Sequence, residues 1–189
     1  VDLSNDYKNV HLIEMDVVEN SSMEQGLQRI QDEVIDVVIN NAGIYGPRNV
    51  NFGGLNGDDW SNVFQTNVIA PLLLTQLIIE KVRNSSVKKL IFLTSKMGSI
   101  EDNQGGGAYI YRSSKSALNA AVKSVSIDLR SQGFIAAMLH PGWVRTDMGG
   151  PKGLIDTQTS VRGMVSVIDT LTAEQSGKFL NYDGQVIPW

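Results

Sequence analysis

Tyr111 and Lys115 stand four residues apart in the segment YIYRSSKSAL, and Ser95 precedes them at the end of the apolar run KLIFLTS. Residues i and i+4 of an α-helix share one face, so a phenol and an ammonium at this spacing can enter one pocket. Free tyrosine has a pKa of about 10 and exchanges protons poorly near neutrality. A cation about 4 Å from the phenolate, at an effective dielectric of about 20, is worth about 4 kcal/mol, enough to draw the phenol toward neutral pH. The chemistry suggested is proton exchange with a carbonyl. A solvated lysine beside a half-buried aromatic has the same spacing, so the pair gains meaning only from its surroundings.

The surroundings alternate strand and helix. Val10 to Val18 reads as a short strand, and Met23 to Val34 shows a helical period after capping residues at Asn20 to Ser22. Ile35 to Ile39 is a nearly continuous β-branched run, the pattern of a parallel strand covered on both faces, and it enters the turn Asn40-Asn41-Ala42-Gly43. Asp58 or Asp59 can cap a long helix from Trp60 to about Arg83, which Pro71 should kink. There follow a strand at Lys89 to Thr94, a helix at Ala108 to Arg130, a strand at Phe134 to Leu139, a helix at Thr159 to Leu171 and a strand at Lys178 to Tyr182. This order predicts a single α/β domain over residues 1–189 with a mostly parallel sheet. Such sheets bind ligands outside the carboxyl ends of their strands. That rule gathers Asp16, Asn40 to Gly43, Ser95 and His140 to Thr146 on one rim with the Tyr111 helix.

Composition narrows the partners. With 189 residues, 42% hydrophobic and 19% charged, the chain can bury a sizeable core. A net charge of −4 and a pI near 5.1 argue against nucleic acid or acidic lipid as the main partner. The absence of cysteine excludes disulfides, thiolate metal sites and cysteine nucleophiles, and two histidines, His11 and His140, are too few for a histidine metal site. No run approaches 18 apolar residues and the first residues lack a signal-type stretch, so the expectation is a cytoplasmic protein with no membrane partner.

Taken together, Asn40-Asn41-Ala42-Gly43 after a strand, Asn67 in QTNVIAP, Ser95, the Tyr111-to-Lys115 motif and Pro141-Gly142-Trp143-Val144-Arg145-Thr146 resemble the short-chain dehydrogenase/reductase family. The phrases AYIYRSSKSALNAAVKS, HPGWVRTDMGG and FLNYDG further resemble its C-factor and sniffer-like carbonyl reductase branch, from Val10 to Trp189. The resemblance implies a Rossmann-like three-layer sandwich and an NAD(P)-dependent reduction of an aldehyde or ketone by hydride transfer, with Tyr111 as proton donor. It implies that Lys115 holds the nicotinamide ribose hydroxyls and lowers the Tyr111 pKa. Ser95 would orient the substrate carbonyl, and Asn67 would hold a water that relays protons to Lys115. Asp16 and Val17 resemble the adenine contact, Asn40, Ala42 and Gly43 the adenosine-ribose wall, and Val144 and Thr146 the carboxamide and phosphate contacts. NADPH over NADH, and a homodimer through the two long helices, are implied by resemblance alone.

Several residues keep a second reading. Asp16 can be a plain helix-leading turn residue, and Asn67 can bond its own helix backbone. Trp143 can line the substrate pocket or cover the core edge. His140 reads as a turn residue, and Tyr109, with Ser113 rather than lysine four residues on, as packing or pocket wall.

One family element does not occur. The glycine-rich phosphate loop, Thr-Gly-x-x-x-Gly-x-Gly, is absent, and Val1 to Asn9 contains no glycine. The expectation is therefore an N-terminally truncated domain whose first strand-helix-strand unit is absent, baring one edge of the Ile35 strand and removing the helix N-terminus that binds pyrophosphate. Alternatively, the Val10 strand slides beside the Ile35 strand in a smaller domain. Two functions follow: a carbonyl reductase, or an inactive reductase-fold protein acting as an interaction or signalling module. A nucleotide-sugar epimerase also uses a Tyr-to-Lys pair, but the tail after Thr146 leaves little room for a sugar-nucleotide domain.

Overall fold

The apolar runs assemble into one sheet in chain order. The computed structural model describes residues 9–30 and 33–189. Among these, strands β1 (Val37–Asn40), β2 (Lys89–Leu93), β3 (Ile135–His140) and β4 (Phe179–Asn181) lie in the order β1-β2-β3-β4, every pair parallel. The helices are α1 (Asn20–Gln28), α2 (Gly57–Phe64), α3 (Ala70–Arg83), α4 (Tyr109–Asp128) and α5 (Thr157–Thr170).

Alternation along each strand divides the core in two. Leu90, Phe92, Ala136, Met138 and Phe179 pack with Ile78 and Val82 of α3 and Leu118 and Val122 of α4. The intervening Ile91, Ala137, Leu139 and Leu180 pack with Val167 and Ile168 of α5. Both faces are thus covered, which is why the strands are apolar at consecutive positions. The result is the expected three-layer sandwich.

Residues 10–18 depart from the expectation: they form no strand. A strand needs a ladder partner, and this segment packs on α1 instead. A Cβ built on Gly26 would meet Met15 Cε at 2.5 Å and Ile13 Cγ2 at 3.3 Å. The segment therefore does not slide beside β1, whose one neighbour among the described residues is β2. Ile39 of β1 is 50% exposed, as expected of a bare edge. The first helix also ends sooner than its periodicity suggests, at Gln28; positions 31 and 32 lie outside the described residues.

The long helix differs in two details. Its cap is Asn56, whose side chain accepts from Asp58 N–H at 2.8 Å and Asp59 N–H at 3.0 Å, while the two aspartates favour the positive end of the helix dipole. Pro71 meets a π-helical turn, Gln65–Ile69, in which Ala70 N–H reaches back to Gln65 O. Pro71 has no N–H to offer the carbonyl four residues back, so the widened turn directly ahead of it absorbs the mismatch. Within the run Gly57–Arg83 an 18-residue stretch has a mean hydropathy of 1.4, so by length and composition alone this helix could cross a membrane, although no uninterrupted apolar run of that length occurs. Its contacts are those of a core helix: Val63, Asn67, Val68, Thr75, Ile78 and Val82 are all buried.

Candidate active site

Six of the expected site residues, Asn40, Gly43, Asn67, Ser95, Tyr111 and Lys115, gather at the carboxyl ends of β1 and β2. Ser95 follows β2 and is buried; its Oγ accepts from Met97 N–H at 3.2 Å, opening a short 3-10 turn at Lys96–Gly98. That turn docks on α4. Arg112 Nη1 donates to Met97 O at 3.2 Å, Ser116 Oγ donates to Gly98 O at 2.8 Å, and a Cβ on Gly98 would lie 2.9 Å from Lys115 C and Cβ. The absent side chain lets the Ser95 hydroxyl stand near enough to Tyr111 to act on the phenol's pKa.

Lys115 is 5% exposed, and its Nζ donates to Leu93 O at 3.0 Å, its one hydrogen bond among the described residues. An ammonium has three donors, so two remain. A Cβ on Gly43 would lie 3.5 Å from this Nζ and 3.3 Å from Asn67 Oδ1. Glycine at 43 thus leaves an opening beside a buried cation. Burial pulls the Lys115 pKa from 10.5 down to about 8.

The phenol behaves otherwise than the sequence suggests. Its pKa is raised, first by burial and further by Tyr45, with the Ser95 hydrogen bond opposing. The lysine Nζ sits 5.8 Å from the centroid of the Tyr111 ring, and burial rather than this cation sets the direction of the shift.

Asn67 occupies the π turn and is 1% exposed. Its Oδ1 accepts from Ile44 N–H at 2.8 Å, and its Nδ2 donates to Ile44 O at 2.9 Å and Ser114 Oγ at 3.0 Å. It bonds a distant peptide rather than its own helix. Asn40 donates to Thr75 Oγ1 at 3.2 Å, and its Oδ1 is buried without a partner.

The remaining expected residues lie on separate loops. Asp16 and Val17 stand in the turn before α1, not at a strand end; Asp16 Oδ1 accepts from Val18 N–H at 3.0 Å, the geometry of a helix-leading turn. Ala42 is exposed on the loop after β1. Beyond β3, Trp143 Nε1 donates to Gly149 O at 2.8 Å, Thr146 Oγ1 accepts from Gly149 N–H at 3.1 Å, and Val144 bridges to Ile155. Trp143 is about half exposed on this loop rather than covering the core. His140 ends β3 half-buried, its pKa lowered to about 4 by burial and by Lys96, so it is neutral at working pH. Tyr109 lines a cavity of about 260 Å³ that Tyr45 and Tyr111 also line, in keeping with a pocket wall.

A serine, a tyrosine and a buried lysine within one crevice, backed by an asparagine, match a profile that covers residues 2–154: the short chain dehydrogenases. The chain belongs to the short-chain dehydrogenase family. It is 46% identical over 155 residues to the C-signal protein of Myxococcus xanthus, covering 82% of this chain and 93% of that relative. An oxidoreductase of Schizosaccharomyces pombe is 32% identical over 211 residues, covering 98% of this chain and 81% of the relative. Among solved structures, the carbonyl reductase Sniffer of D. melanogaster superposes with a TM-score of 0.95 at 35% identity, covering all of this chain and 82% of that one. The NADPH-bound carbonyl reductase from chicken fatty liver gives 0.92 at 34% identity, with 99% and 80% covered. The chain is thus an enzyme of the short-chain dehydrogenase class.

Four residues that complete this dehydrogenase crevice escape a sequence reading. Tyr45 stacks on Tyr111 with ring centroids 4.5 Å apart, Arg48 covers Tyr45, Ser114 joins Asn67 to the Tyr111 carbonyl, and Gly98 admits α4. The one available signal is an aromatic placed directly after the Asn-Asn-Ala-Gly-Ile turn.

Proposed function

We propose that this chain reduces an aldehyde or ketone with a nicotinamide cofactor, NADPH by preference, Tyr111 being the proton donor. The observation that carries this is the buried Lys115 ammonium, with two uncommitted donors beside the opening at Gly43, in one crevice with the Tyr111 phenol and Ser95. Vicinal hydroxyls of a ribose suit such a pair of donors, and the unpartnered Asn40 Oδ1 on the same rim can accept a further hydroxyl. The nicotinamide, when bound, supplies the hydride.

The protein's own groups do the rest. Ser95 Oγ and the Tyr111 phenol hold the carbonyl oxygen and stabilise the charge it acquires. Tyr111, protonated at neutral pH because its pKa is raised, delivers the proton to that oxygen. The Lys115 ammonium stands near enough to favour the phenolate left behind.

Tyr111→Phe and wild type should be compared with NADPH and a panel of aldehydes and ketones, folding being followed by circular dichroism. The expected result is loss of turnover in a folded variant. Turnover equal to wild type would remove Tyr111 from this role.

A further inference from the structure

Tyr45 is held between two partners. One face stacks on Tyr111 at a centroid distance of 4.5 Å and an interplanar angle of 24°, and the guanidinium carbon of Arg48 lies 4.7 Å from its centroid. With Tyr111 on one face, a group over the ring at that distance must take the other. Arg48 in turn donates from Nη2 to Met148 O at 2.7 Å, so the loop after β1 is tied to the loop after β3 across the end of β2. Contacts thus run without a break from Met148 through Arg48 and Tyr45 to Tyr111.

We propose that Tyr45 is a positioning residue: its ring, clamped by Arg48 to the Met148 loop, fixes the plane of Tyr111 and closes one face of it to water. A stacked aromatic pair and a cation–π contact on the opposite face together favour one ring orientation over others. The wall also has a consequence for access. Because both faces of Tyr45 are taken, a flat substrate can stack on it only by displacing Arg48, which releases the Met148 loop. The position of that loop is thereby felt at the proton donor. This inference rests on Tyr111 being that donor.

Two readouts separate the inference from the reading beneath it. The first is kcat and KM with NADPH and a carbonyl panel for Tyr45→Phe, Tyr45→Ala and Arg48→Ala. The second needs no turnover: titration of ζ-¹³C-tyrosine resonances, with that of Tyr111 assigned by its loss in Tyr111→Phe. Removing the ring should lower kcat about tenfold or more, since small misplacements of a reacting group are costly, with KM nearly unchanged. Tyr45→Phe keeps the ring and should restore most of kcat, and Arg48→Ala should fall between. In Tyr45→Ala the Tyr111 phenol should titrate at lower pH, because the burial that raises it is relieved. A folded Tyr45→Ala with unchanged kcat and unchanged Tyr111 titration overturns the proposal, and so does a rise in KM alone. If wild type turns over no carbonyl while the Tyr111 titration still moves, the positioning role stands and the reductase reading fails.

Discussion

Asn67 grips the main chain of Ile44 on both sides, its Oδ1 accepting the N–H at 2.8 Å and its Nδ2 donating to the carbonyl at 2.9 Å. A π turn placed ahead of Pro71 presents this side chain, and its hold pins the loop that carries Gly43 and Tyr45. Truncation would leave the Ile44 N–H and C=O, both partly buried, and the buried Ser114 hydroxyl without this partner. Asn67→Ala should cost about 2–4 kcal/mol in urea unfolding, and its cost should be less than additive with that of Ser114→Ala. Strict additivity of the two would show that the side chains act independently.

Lys115 should make stability rise with pH over an alkaline window. Its folded pKa, about 8, lies below the ordinary 10.5, so between those values the unfolded chain holds a proton that the folded chain lacks. The stabilisation is complete above 10.5 and lost as pH falls toward 8. Lys115→Met should therefore be inactive yet melt higher than wild type at pH 7, the gap narrowing as pH rises. A constant gap across that window would contradict the burial account.

Tyr111 has the opposite sign. Its folded pKa is raised, so its contribution to stability is present below about 10, the ordinary value, and lost as pH climbs through the folded one. For catalysis, carbonyl reduction should be nearly flat through neutral pH and fall in alkali. Oxidation of the corresponding alcohol, which needs the phenolate, should rise with pH. Parallel profiles for the two directions would show that another group limits proton transfer.

Gly98 should tolerate no side chain. A Cβ there would meet Lys115 C and Cβ at 2.9 Å and Ser116 N at 3.1 Å, backbone that cannot swing aside. Gly98→Ala should cost about 1–3 kcal/mol and reduce kcat by moving α4 away from Ser95. Thermal melts together with kcat measure both; full activity with a lowered melting temperature would separate packing from catalysis.

The strand runs and the long helices are legible in the sequence because burial on both faces imposes an apolar pattern that few other structures share. Ser95, Tyr111 and Lys115 are legible because their spacing along a strand end and a helix is itself the geometry. The Val10 segment misleads, since mixed alternation looks the same whether a ladder or a helix such as α1 lies beside it. Tyr45, Arg48 and Ser114 acquire their roles from contacts between loops and helices far apart in sequence, which no local pattern encodes. The direction of the Tyr111 shift depends on desolvation, a property of everything packed around the phenol.

The placement of α5 carries a last consequence. Successive strands always step the same way across the sheet, but α3 and α4 cover one face and α5 the other. The β3–α5–β4 connection therefore has the opposite hand to β2–α4–β3, and parallel crossovers strongly prefer one hand. The segment that makes this connection leaves the carboxyl end of β3, and Arg48 of the loop after β1 is tied to it at Met148 O. The roof of the crevice thus belongs to the connection whose hand differs from that of its neighbours. Residues between the two ends of the Val144–Ile155 bridge can change in number while the register of the four strands stays as it is, so the crevice can be reshaped there without altering the sheet.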